Sequence, residues 1–239
     1  MQNLEIGAWA PEFLSGLWVT VYGTILCAVA ALVIAVVLGL LARMDQLFPR
    51  TVARVIIEFF RGTSLLVQLF WLYFVLPLLG YELAGLFVAV VAFGLNFGAY
   101  GAEVVRGAIN AVPRPQWEGT VALNFTPFQR MRRVILPQAL PLMLPPFNNL
   151  LIQLLKSTPL FYLVGINDLT YWGDQYRNSV GNELFIFPVL LVIYFMLSYL
   201  FTLFMHVLEA RSKRALGQAE AAREIFAFRG PQEEEGVRA

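Results

Sequence analysis

Residues 13–42 contain no charged side chain, and this one run decides the solvent in which the chain folds. About 20 apolar residues cross a hydrocarbon core of ~30 Å, so a helix this long belongs in lipid. Composition points the same way. Hydrophobic residues make up 59% of the 239, and charged residues only 14%, against about 25% in soluble domains. Phe alone occurs 20 times. A soluble domain of this size has no interior for that much apolar surface. Only Glu5 and Glu12 carry charge ahead of the run. A cleaved signal peptide carries a basic leader, so this run is expected to remain as a membrane helix.

Four further apolar segments bring the expectation to five spans, at about 13–42, 51–79, 83–108, 134–155 and 184–208. The backbone of each must be satisfied inside the bilayer, which makes the fold class all-α integral membrane. The second segment enters amphipathically at Thr51 and is strongly apolar only from Ser64. The fourth holds Pro137, Pro141, Pro145 and Pro146 with Asn148 and Asn149, which predicts a kinked helix buried among its neighbours.

Basic residues give the orientation. They cluster at Arg43, Arg50 and Arg54, again from Arg106 to Arg133, and in the tail from Arg211 onward. The N-terminus, 1–12, and the second loop have none. The fourth loop mixes Lys156 and Arg177 with Asp168, Asp174 and Glu183. The positive-inside rule places the N-terminus outside and the C-terminus inside, a parity that five spans satisfy. The tail, 209–239, is then cytoplasmic. Its stretch ARSKRALGQAEAAREIFAF could prolong the last helix, and GPQEEEGVRA reads as a frayed end. Net charge near +1 gives no sign of nucleic acid. Cys27 and His206 each stand alone in apolar segments, which reads as packing rather than metal binding.

Between the third and fourth segments lies QWEGTVALNFTPFQRMRRVILP, residues 116–137. Pro115 suits a first helical turn. Thr126-Pro127-Phe128-Gln129 reads as a capping box. The loop, 113–133, is therefore helix, corner, helix. Its Trp117, Val121, Leu123 and Phe125 need covering, by a lipid surface or by a partner groove.

This loop resembles the EAA loop of permease subunits in ABC-type importers, which runs Glu-Ala-Ala, three residues, Gly, nine residues, Ile, one residue, Leu-Pro. Glu118 matches the Glu, Leu136 and Pro137 match the terminal pair, and Val134 takes the Ile position. Gly119 and Thr120 replace the two Ala. Asn124 replaces the Gly, and Asn is the residue after Gly that best tolerates a left-handed corner. EFFRGTSLLVQLF (58–70), AYGAEVVRGAINAVPRPQWEG (99–119) and LLKSTPLFYLVG (154–165) resemble segments of the polar amino acid permeases. The resemblance covers roughly 13–210. It implies a multi-pass permease of the bacterial inner membrane. It also implies a second permease subunit, same or related, two cytoplasmic ATPases docking at the loop, and an extracytoplasmic solute-binding protein. The family handles glutamine, histidine, arginine, glutamate and opines. GLNFGAYGAEVVRGAI with LPPFNNLLIQLLKST looks closest to its ectoine and hydroxyectoine branch. No Gly-x-x-x-x-Gly-Lys-Ser/Thr phosphate loop occurs, so this chain binds no ATP or Mg²⁺ of its own and is not an enzyme.

Polar residues within spans are the candidates for a translocation path. Glu58/Arg61 and Glu103/Arg106 are each one helical turn apart, readable as self-neutralising pairs or as a gate. Gln68, Asn96 and Tyr100 lie deeper, with Gly94, Gly98 and Gly101 permitting close helix approach. Asn149, Gln153, Lys156 and Thr158 follow in the fourth segment and its end, and Thr63 belongs to a short echo between RGTSLLVQL and KSTPLFYLV. Each reads equally as helix–helix hydrogen bonding. The fourth loop, 165–183, either caps the cavity, meets the binding protein or is plain surface. A channel or scaffold subunit, an intramembrane enzyme and an ion-coupled carrier are the competing classes. The enzyme lacks any paired-Asp, Ser-His or metal constellation, and five spans are few for a carrier.

Overall fold

The computed structural model describes residues 2–215, and every element among them is helical. We number eight helices. They are α1 (Gln2–Leu41), α2 (Leu47–Gly62), α3 (Leu65–Leu78), α4 (Gly85–Ala111), α5 (Arg114–Ala122), α6 (Pro127–Val164), α7 (Leu169–Val180) and α8 (Glu183–Ala215). Three of these, α1, α4 and α8, are each long and apolar enough to cross a membrane alone. Counting each bent pair as one span raises the number to five. Residues of the tail beyond 215 lie outside the described part.

The centre of the molecule is the pairing of α1 with α4. It is close because glycines sit at the crossing. A Cβ added to Gly101 would stand 2.7 Å from the Cβ of Ala35, and one at Gly98 would stand 2.7 Å from Ile34. Around this seam pack Cys27, Ala31, Ala92, Phe93 and Phe97, with Phe161 from α6 closing the group. Cys27 is a buried packing residue, as its apolar setting suggested. Ala35 has no rotamer to escape into, so Gly101→Ala forces the backbones apart. The variant is expected to lose about 1–3 kcal/mol of stability, read as a lowered Tm of the purified protein.

The segment expected as one span at 51–79 is two helices. α2 and α3 meet at a bend of 100°. Thr63 and Ser64 are extended at the joint, with ψ of 149° and 132°. Two causes act together. α2 carries Arg50, Arg54, Arg61 and Glu58 and cannot be wrapped in hydrocarbon all round. Gly62, Thr63 and Ser64 are weak helix formers, and Thr63 turns its hydroxyl back to donate to the carbonyl of Phe59 at 2.9 Å.

The prolines of the fourth segment do not interrupt α6. A widened turn at Met131–Ile135 precedes them, where the Leu136 N–H reaches back five residues to the carbonyl of Met131. The same device stands in α3, where Leu76 N–H bonds the carbonyl of Trp71 just ahead of Pro77. In both places the wider turn falls where a proline ring would strike the carbonyl four residues before it. Nor is this segment enclosed on all sides. Ala139, Met143, Leu154 and Leu155 face the core while Leu140 and Leu142 are exposed.

Candidate coupling surface and translocation path

α5 and the start of α6 form the helix–corner–helix of the central loop. α5 begins with Pro115 in its first turn. It ends in a paired cap: Phe125 N–H bonds the carbonyl of Thr120 at 3.0 Å, and Asn124 N–H bonds that of Val121 at 2.9 Å. This closure needs a left-handed residue between the two helices. Asn124 supplies it with φ of 56°, the one positive φ at a non-glycine among the described residues. The capping box is complete, with Gln129 N–H donating to Thr126 Oγ1 and Thr126 N–H to Gln129 Oε1.

Two side-chain contacts tie the loop to the body. Arg43, at the corner after α1, lays its guanidinium over the Trp117 ring at 5.1 Å. Gln138 on α6 donates to Gln116 on α5 at 3.1 Å. Thr120 is buried and bonds the carbonyl of Trp117, so it faces inward. Glu118, Gly119, Asn124, Leu136 and Pro137 are exposed, as are Val121, Leu123 and Phe128. The loop thus shows water an apolar edge beside one carboxylate. A Cβ at Gly119 would meet nothing within 4 Å. Gly119→Ala is therefore expected to raise stability by about 0.5–1 kcal/mol, checked by Tm, because a helical glycine costs backbone entropy.

The polar span residues separate into two groups. Five meet at the α2–α3 bend. The last carbonyls of a helix have no internal partner, and here side chains supply them. Asn96 Nδ2 donates to the Phe60 carbonyl at 3.0 Å and Gln68 Nε2 to the same oxygen at 3.2 Å. Gln68 also donates to Thr63 Oγ1 at 2.6 Å, and Tyr100 Oη donates to the Arg61 carbonyl at 3.2 Å. The Arg61 guanidinium lies over the Tyr100 ring at 5.3 Å. Glu103 and Arg106 form their pair, with Arg106 Nε 3.1 Å from Glu103 Oε2. Arg61 and Glu58 are looser at 3.6 Å. Asn96, Gln68 and Tyr100 therefore supply donors to the carbonyls of the bend.

The second group lies where α6 ends. Lys156 is exposed and lines an open groove of about 450 Å³ with Ile152, Tyr194, Ser198, Tyr199 and Thr202. Asn149 and Gln153 are exposed on the same helix. Thr158 is buried, 3.4 Å from Tyr194 Oη. Tyr194 Oη in turn lies 2.9 Å from Thr170 and 3.4 Å from Asp168.

Asp168 is the residue that sequence reasoning passed over as a loop charge. It is 0% exposed and caps α7 by accepting from Tyr171 N–H at 2.9 Å. The signal was local: an Asp directly before Leu-Thr-Tyr at a helix start. Burial pushes its carboxyl up to about 6, against hydrogen bonds from Tyr171 and Thr170 that pull it down. A folded-state value above the unfolded one means stability that is present at low pH and lost as pH rises through about 6. Against Asp168→Asn, the natural protein is expected to lose Tm between pH 5 and pH 8, by about 2–6 °C; parallel curves would refute this.

Residues 31–214 match the model of a family described as binding-protein-dependent transport system inner membrane component. The chain is 40% identical over 208 residues to a probable amino-acid ABC transporter permease, y4tF, of Sinorhizobium fredii, covering 84% of this chain and 87% of that one. It is 33% identical to the glutamine transport system permease GlnP of Escherichia coli K12, over 85% of this chain and 94% of that one. A crystal structure of an amino acid ABC transporter with histidines superposes with a TM-score of 0.80 at 31% identity, covering 87% of this chain and 97% of that one.

Proposed function

The chain belongs to the inner membrane components of binding-protein-dependent transport systems, and from that premise we propose that it forms the translocation path of an ATP-driven amino acid importer. It is a permease subunit of an ABC system rather than an enzyme, and ATP is hydrolysed by a separate subunit. In the proposed assembly two permease subunits stand side by side in the membrane. Two cytoplasmic ATPases, which use the ATP and Mg²⁺, dock on α5. An extracytoplasmic binding protein delivers the solute. The N-terminus lies outside and the C-terminus inside, in keeping with the basic residues.

One observation carries the coupling role. α5 is held rigidly by the Asn124 corner and the Thr126 box, yet presents Glu118 and Val121 to solvent, and Leu123 at its end and Phe128 at the start of α6 are exposed as well. A rigid helix with an uncovered apolar edge is suited to a groove on a partner. ATPase closure would then move α5. Its ties through Arg43 and Gln138 would carry the motion to α1 and α6, giving two states of access.

An amino acid is the solute that the relatives support, since their names specify glutamine or amino acids in general. The ectoine reading rests on the quoted segments alone. Lys156, Asn149, Gln153 and Thr158 are the proposed solute-side residues toward the outer face, with Arg61, Glu103 and Tyr100 toward the inner one. The test is uptake by vesicles that hold the permease, its ATPases and its binding protein. Expected is accumulation of a labelled amino acid only when ATP reaches the ATPases and the binding protein is present. Equal accumulation by the permease alone would overturn the proposal.

A further inference from the structure

We propose that α2 is a membrane-surface helix whose Arg50 and Arg54 bind anionic lipid headgroups. The first observation is its division of faces. Ala53 and Ile57 turn inward to pack with Leu38, Ala42 and Ala102. Phe48, Val52, Val55 and Phe59 recur at helical spacing along a second stripe, and all four are exposed, Phe48 by 80% and Phe59 by 59%. Arg50, Arg54 and Arg61 follow one another along a third stripe at the same kind of spacing. Half of the helix is thus apolar, shared between protein and an uncovered flank, and the other half is polar.

The second observation is direction. α3 runs apolar from Leu65 to Leu78, and α2 leaves it at 100°. If α3 follows the membrane normal, α2 lies in the membrane plane. In that pose the exposed Phe and Val side chains enter the acyl boundary and the arginines stay at headgroup level, reaching outward on their long stems. The third observation is charge. α2 holds three arginines against one glutamate. Arg61 is engaged with Glu58 and Tyr100, whereas among the described residues neither Arg50 nor Arg54 enters an ion pair. Two free guanidinium groups beside an apolar stripe match phosphate-bearing headgroups over a film of hydrocarbon. A second copy of the chain is poorly matched, because it would bring the same positive stripe.

The proposal makes no use of the ATPase-docking role of α5, and symmetric nanodiscs remove any dependence on orientation. A fluorophore is placed at Val55→Cys; Cys27 is 0% exposed and stays unlabelled. Quenching is compared between nanodiscs holding the same small fraction of doxyl-labelled phosphatidylglycerol or doxyl-labelled phosphatidylcholine. Expected is quenching by both lipids, about fivefold stronger for phosphatidylglycerol at low salt. The preference should disappear with Arg50→Gln and Arg54→Gln together and weaken in high salt. Equal quenching by the two lipids overturns the headgroup recognition. Quenching by aqueous iodide but not by lipid overturns the surface pose, and so does protection from both with cross-linking between copies. A label at Val52→Cys repeats the measurement should the first site perturb folding.

Discussion

Glu118→Lys is expected to cut ATP-driven uptake by about a hundredfold or more while leaving the permease folded. The carboxylate is exposed on α5, and among the described residues no ion pair or hydrogen bond engages it. Nothing inside the chain depends on it, so loss of uptake cannot come from loss of fold. In the docked assembly the same carboxylate would be desolvated against the ATPase. Removing one partner of a buried charge pair costs about 3–5 kcal/mol, and reversing its sign costs no less. At about 1.4 kcal/mol per factor of ten, that is two to three orders of magnitude in docking. The permease should keep its Tm and its elution volume and fail to retain ATPase on an affinity column. Uptake within about twofold of the natural protein would remove Glu118 from the coupling surface. Thr120 serves as the contrast. It is buried, so a change there acts on α5 packing, and its effect should appear in Tm first.

What could be read from the sequence was what short stretches decide on their own. The Thr126–Gln129 box and the left-handed Asn124 are contacts among neighbours, and both stand as their residue types indicated. The long apolar runs are equally local, because lipid asks only for length and the absence of charge. The bend between α2 and α3 is different. Its carbonyls are capped from Asn96 and Tyr100, 36 and 39 residues further on. No window of ordinary length contains both halves of that arrangement, so a continuous span was the natural expectation. The Asp168 setting depends on still longer reach, with Leu169 N–H bonding Thr20 Oγ1 across 149 residues. The prolines of α6 predict a kink in a single helix, and the helix does run on through Pro141, Pro145 and Pro146; the widened turn ahead of them relieves Pro137 alone.

Asn96→Leu and Gln68→Leu together are expected to destabilise the protein by more than the sum of the two single changes. Both amides donate to the one carbonyl oxygen of Phe60, at 3.0 and 3.2 Å. A carbonyl with two donors keeps one when either is removed, so each single change should cost about 1 kcal/mol. When both are removed the oxygen loses both side-chain donors at a site where Gln68 and Asn96 are themselves buried. An unsatisfied buried group costs about 1–3 kcal/mol beyond the bonds themselves. The double variant should lose about 3–5 kcal/mol, with a coupling of at least about 1 kcal/mol in the cycle. Thermal unfolding of the four proteins in one detergent measures it. Strict additivity would mean that Phe60 finds another donor and that the bend stands without Asn96 and Gln68. Tyr100→Phe separates the neighbouring carbonyl. It removes only the bond to Arg61, at 3.2 Å on an exposed side chain that water can replace. Its cost should stay below about 1 kcal/mol and add independently to either amide change.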